Sequence, residues 1–254
     1  MHPLKQRTAA GAIALMQVSD RWAVELNGSE ADQQIWRKLL KPPFDPFVEE
    51  IKSQRGDYLA LRSSAFNGVE GSIQVHQTAK QLFATLNAAM SIHWGTDPVT
   101  NGAVVEFVPD GEPRRCHHLE AESISLRIRF GIVNLTALDA DGNVITPPPA
   151  PSRAQLWVHA AELDPEIGNA LRYLRGNPSW VSLYKAFEAL RDRPNGGISK
   201  NEVERFARTA NAVERHHPNE RRIPPPRPME LWEARALMTT WVSAAIDDIL
   251  AKNS

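Results

Sequence analysis

"TPPPAPS", residues 146–152, separates two kinds of sequence in this chain. Four prolines in five residues leave the segment short of backbone N–H donors, and their fixed φ favours extended geometry. Upstream, short runs alternate apolar and polar residues; downstream, nearly every segment repeats with the helical period of about 3.6 residues. The break predicts an α+β fold in three parts. Residues 1–146 form an N-terminal antiparallel sheet with helices on one face, 147–152 a proline-rich linker, and 153–254 a C-terminal all-α bundle.

Working upstream, "RWAVELNG" alternates Trp22, Val24 and Leu26 before turning at Asn27-Gly28, the pattern of a strand. "SEADQQIWRKLLK" follows as a helix, with Ser29 and Asp32 placed as a capping box and Ile35, Trp36, Leu39 and Leu40 as its apolar stripe. "YLALRSSAF" reads as a second strand and "SIQVHQTAKQLFATLNAAMSIHW" as a long helix. A hairpin then turns at Asp110-Gly111, and its second strand alternates Ile124, Leu126, Ile128 and Phe130. Downstream, five helices are expected. Two carry clear start signals: Pro165 opens one, and Ser199 with Glu202 caps another. The last carries a core-facing stripe of Leu231, Ala234, Met238, Trp241, Ala245 and Ile249.

The 254 residues suffice for one large domain or two modest ones, and 42% hydrophobic residues is ordinary for a globular chain. A net charge of −1 argues against binding nucleic acid through overall charge and leaves room for a local basic patch. Cys116 is the only cysteine, so no internal disulfide framework forms, which fits a reducing compartment. The apolar run near the N-terminus is broken by Gly11 and Gln17 and lacks a small-residue cleavage site. No stretch approaches the roughly 20 apolar residues that span a bilayer. The chain reads as cytoplasmic, with no membrane association.

Positive charge gathers between Arg191 and Arg227, where nine Lys/Arg face five Asp/Glu. On the helix beginning at Ser199, Val203, Phe206, Ala210 and Val213 share a core face. Arg208, Asn211 and Arg215 share an adjoining one, leading to His216. Two guanidiniums, an amide and an imidazole on one line can hold a phosphate, and histidine can move protons at a phosphodiester. The same residues also suit a solvated helix face. Beyond the helix, Arg221, Arg222 and Arg227 offer an electrostatic track for an RNA backbone. The prolines around Arg227 read as a stiff connector or as a polyproline ligand. "RRCHH" at 114–118 places Cys116 and His118 on one strand face with no second ligand pair, so no metal site is expected. There is no glycine-rich phosphate loop, nucleophile elbow or paired metallohydrolase motif, and no cofactor is expected. The seven tryptophans fall on apolar stripes and read as core.

The order "SWVSLYKAFEAL", "RFARTAN", "RH", "PPPRPM", "EARALM" resembles a signature of uncharacterised bacterial proteins. Over roughly residues 166–250, it is also similar to the HEPN superfamily (higher-eukaryote and prokaryote nucleotide-binding). That resemblance implies a helical domain that forms a homodimer, and an RNase of a toxin–antitoxin or phage-defence system. In such nucleases an arginine, a polar residue and a histidine promote attack of a ribose 2′-hydroxyl on phosphate without a metal. Carried onto this chain, the catalytic set is Arg208, Asn211 and His216, with Arg215, Arg221, Arg222 and Arg227 on the RNA. The position before Asn211 is Ala210, where the family pattern places its arginine. A HEPN-like fold without nuclease activity, serving self-association, with the N-terminal domain meeting a protein partner, is the alternative reading.

Overall fold

Trp22, Val24 and Leu26 lie on one side of the first strand, β1 (Trp22–Asn27), and all three are buried. The computed structural model describes residues 21–54, 56–109, 111–118, 149–213 and 225–253. The turn after β1 leads into α1 (Glu30–Leu39), where the Ser29 hydroxyl accepts from the Asp32 N–H at 3.1 Å and donates to Asp32 Oδ2 at 2.6 Å. Asp32 Oδ1 accepts from the Asp97 N–H at 3.2 Å, so the helix start is tied to a distant loop.

A strand that the sequence reading leaves out follows: β2 (Phe47–Ile51), paired along its length with β3 (Tyr58–Arg62). Three nearby prolines and the adjacent Glu49 and Glu50 hide its alternation. The segment read as one strand, "YLALRSSAF", is strand only to Arg62. Its remainder is a single 3-10 turn over Ser64–Phe66, because Ser63 accepts from the Ala65 N–H and Asp45 accepts from the Ser64 N–H. The long helix α2 (Ser72–Trp94) spans the expected residues and stops at Gly95, whose φ of +60° suits a residue without Cβ.

Strand β4 (Thr100–Glu106) pairs with β5 (Arg114–Cys116), with Glu106 opposite Arg114 across the turn. The expected strand over Ile124–Phe130 lies outside the described residues. The sheet is antiparallel with order β2-β3-β1-β4-β5. Its core face meets Trp36 and Leu40 from the α1 end and Val75, Ala79, Leu82, Phe83 and Leu86 from α2. On the other face Ala23, Ile51, Ala60 and Val105 form a small cluster beside Tyr58 and Phe107. Both helices therefore lie on one face, as the alternation demands.

All five expected downstream helices are present: α3 (Arg153–Leu163), α4 (Pro165–Leu174), α5 (Trp180–Leu190), α6 (Lys200–Val213) and α7 (Leu231–Lys252). They pack on one another, and α3 and α4 also pack on α2. One apolar core runs from the sheet through α2 into these helices. Gln155 joins the halves through polar contacts. Its Oε1 accepts from the Ser152 N–H in the capping box of α3, while its Nε2 donates to the carbonyls of Lys41, Phe44 and Pro46 at 2.9–3.1 Å.

Two expectations about the core are corrected. Val213 is 54% exposed, and Leu231, in the first turn of α7, is 42% exposed. Of the tryptophans, five are buried and Trp94 is half-buried against the core, but Trp232 is 71% exposed in the first turn of α7.

Candidate functional site

Helix α6 starts where Ser199 and Glu202 predict. The Glu202 N–H donates to Ser199 Oγ at 3.2 Å and the Ser199 N–H to Glu202 Oε2 at 3.1 Å. The Ser199 hydroxyl also donates to Glu202 Oε2 at 2.7 Å, and this bond first, then that from the Ser199 N–H, holds the Glu202 carboxyl below its usual range. Phe206, Thr209 and Ala210 point inward. The Thr209 hydroxyl donates to the Arg205 carbonyl at 2.8 Å and accepts from the Met229 N–H at 3.0 Å, which fixes the approach to α7.

Arg205, the first arginine of α6, is a structural clamp. Its guanidinium donates to the carbonyls of Arg227 and Pro228 and to both carboxylate oxygens of Glu233. Glu233 is held below the usual carboxylate range, first by the Glu230 N–H and then by Arg205. One turn on, Arg208 is exposed and Asn211 half-buried, on the face expected of them. Arg227 is exposed on the connection that Arg205 holds. Arg215, His216, Arg221 and Arg222 lie outside the described residues, so of the expected set the structure places Arg208 and Asn211 on α6 and Arg227 on the connection that Arg205 holds.

A second constellation sits at the edge of the sheet. Glu25, Asn27, His76, Asn101, Arg115 and His118 are among the residues lining a cleft of about 310 Å³ between the start of α2 and strands β1, β4 and β5. The His76 and His118 rings lie 4.8 Å apart, and Asn101 Nδ2 is 3.0 Å from His76 Nδ1. Arg115 pairs with Glu25 and covers the Tyr58 ring at 4.7 Å. A Cβ on Gly102 would lie 3.0 Å from Asn27 Oδ1, so glycine there lets the Asn27 amide lie against β4. Sequence reasoning singled out 114–118 only as a metal candidate and missed His76 and Asn101. Among the described residues no group of three or more His, Cys, Asp or Glu could hold a metal ion. The visible signal was His76, a polar residue beside Val75 on the buried side of an otherwise apolar stripe.

A third opening, of about 300 Å³, lies between α2 and the α3–α4 corner, over Leu82, Val158 and Ala161 with Glu162 and Arg172 at its rim. Loss of water pushes the Glu162 carboxyl up to about 7, with the negative charge of Asp45 adding to it. Its side chain is still 48% exposed, so solvent screening moderates this effect.

Compared with protein-family models, curated proteins and solved structures, the chain finds no match in any of the three. Among the described residues no helix is long and apolar enough to cross a membrane.

Proposed function

We propose that this chain is an RNA-directed protein of a bacterial defence or toxin-type system, in which the helices from 153 onward act as an all-α, HEPN-like bundle. The observation that supports it is the division of labour among the arginines. Arg205 is consumed in holding α6 to α7, whereas Arg208 stands exposed on the same helix, with Asn211 half-buried one turn on. A guanidinium so placed serves phosphate binding.

In this reading the protein is a metal-independent endoribonuclease. His216 takes the proton of a ribose 2′-hydroxyl, and the oxygen attacks the adjacent phosphorus. The bond to the 5′-oxygen breaks, and a proton delivered to that oxygen leaves a 2′,3′-cyclic phosphate. Arg208 or Arg215 stabilises the negative charge that builds on the phosphate oxygens, and Arg221, Arg222 and Arg227 hold the flanking backbone. Incubation of the purified protein with total RNA in EDTA, beside His216→Ala and Arg208→Ala, tests this. Cleavage by the wild type alone is expected; equal cleavage by all three, or none by the wild type, rejects the mechanism.

A second reading is favoured by a different observation. Trp232 is 71% exposed beside Leu231 in the first turn of α7, and Val213 on α6 is 54% exposed. Exposed large apolar side chains on these two helices suit a non-catalytic interaction protein that self-associates through its helical part. Light scattering on the wild type and on Trp232→Ser decides it: a homodimer that becomes monomeric on substitution is expected, and a monomeric wild type rejects it.

A further inference from the structure

Helices α3 and α4 meet at a corner, where Asp164 ends the first and caps the second, its carboxylate accepting from the Glu166 N–H at 3.0 Å. The opening of about 300 Å³ at this corner lies against α2. Ligand sites run from about 300 to 1,000 Å³, so this one suits a small molecule. Its floor is apolar, with Leu82 and Val158 buried and Ala161 half-buried.

Two opposite charges line this one opening without pairing with each other. Glu162 stands at the end of α3 and Arg172 late in α4. The Arg172 guanidinium donates to Asn169 Oδ1, and among the described residues it meets no carboxylate. Beside Glu162 Oε2 stands the His159 ring, with Nδ1 at 3.7 Å, and no arginine or lysine among the described residues. Both charged groups are open to a ligand, since the Glu162 side chain is 48% exposed and Arg172 is exposed. Loss of water and the charge of Asp45 push the Glu162 carboxyl up, and a cation arriving at it would oppose both. Across the opening, the Thr85 hydroxyl donates to the Gln81 carbonyl at 3.3 Å, which leaves its oxygen able to accept.

An acid and a base held apart over an apolar floor match a ligand that carries both countercharges on a small apolar body. A simple amine would leave Arg172 unanswered, and a simple carboxylate would leave Glu162 so. We propose that this opening is a binding site for an apolar α-amino acid. Its ammonium meets Glu162 and the Thr85 oxygen, its carboxylate meets the fork of Arg172, and its side chain lies over Leu82, Val158 and Ala161. The site goes beyond the RNA-directed reading and uses none of the arginines which that reading needs.

The full chain, ¹⁵N-labelled, is titrated separately with L-leucine, isoamylamine and isocaproate, the last two being leucine without its carboxylate and without its amine. L-Leucine is expected to shift the amide resonances of residues 78–85 and 161–172 and to bind about tenfold more tightly than either fragment. Glu162→Gln and Arg172→Gln should each weaken leucine binding about tenfold. Arg172→Gln should leave isoamylamine binding unchanged, and Glu162→Gln should leave isocaproate binding unchanged. A general loss of structure would not give that crossed pattern. No shift at 78–85 or 161–172 with leucine at millimolar concentration overturns the proposal. So does a fragment that binds as tightly as leucine, which marks a simple cation or anion site, or either variant binding leucine as the wild type does.

Discussion

Arg205 on α6 and Glu233 in the first turn of α7 meet through two N–H···O contacts, of 2.9 and 3.3 Å. The same guanidinium holds the carbonyls of Arg227 and Pro228, so one side chain anchors both the connection and the helix that follows. Arg205→Lys keeps the charge and loses the fork that reaches four oxygens at once. The melting temperature is expected to fall by about 2–4 °C in Arg205→Lys and further in Arg205→Ala. A lysine variant as stable as wild type contradicts the clamp. Glu233 has its carboxyl held down in the fold, so its contribution is complete above 4.5, the ordinary value, and is lost as pH falls through the lower folded value. Glu233→Gln should therefore lose part of the acid sensitivity below that pH.

Gln155 is 2% exposed and donates to three carbonyls of the 41–46 loop. Gln155→Ala strands those carbonyls at a cost of about 1–3 kcal/mol. Gln155→Glu is isosteric yet turns a donor into a carboxylate facing carbonyl oxygens, so it should be the worse of the two at neutral pH. Urea midpoints give the order, and a glutamate variant more stable than the alanine one refutes this role.

His93 lies edge-on to Trp157 with ring centroids 4.4 Å apart. Burial lowers its basicity and the nearby Arg153 lowers it further, with Asp247 opposing. The folded state therefore prefers the neutral ring. Its stabilising effect is present above 6.5, the ordinary value, and is lost as pH falls toward the lower folded value. His93→Phe should flatten the stability profile below pH 6.5, read from urea midpoints at pH 7 and pH 5. An unchanged slope counts against it.

Glu162 acts with the opposite sign. Its carboxyl rises from 4.5 to about 7 in the fold, so the folded state binds the proton more tightly and loses stability as pH rises between those values. Glu162→Gln should remove that loss and melt higher than wild type above pH 7. The same or a lower melting temperature there rejects the assignment.

How far the sequence could be read depended on whether a signal was local. Alternation in Trp22–Leu26, the period of Ser72–Trp94, Pro165 at the start of α4 and the Ser199–Glu202 cap are each written within a few residues, and each element formed where expected. Phe47–Ile51 is a strand because its backbone pairs with Tyr58–Arg62 and because the Leu40 carbonyl accepts from the Val48 N–H. Prolines and glutamates obscured any local sign of it.

The candidate sites divide along the same line. The placement of Arg208 and Asn211 on one face of α6 follows from helical spacing alone, and the sequence by itself determined it. Which arginine is structural was decided by a glutamate 28 residues away, and no local pattern announces that contact. His76, Asn101 and His118 come from a helix, a strand and the end of another strand. Only closure of the antiparallel sheet over α2 brings them to one cleft, because neighbours across a sheet are set by register and not by distance along the chain.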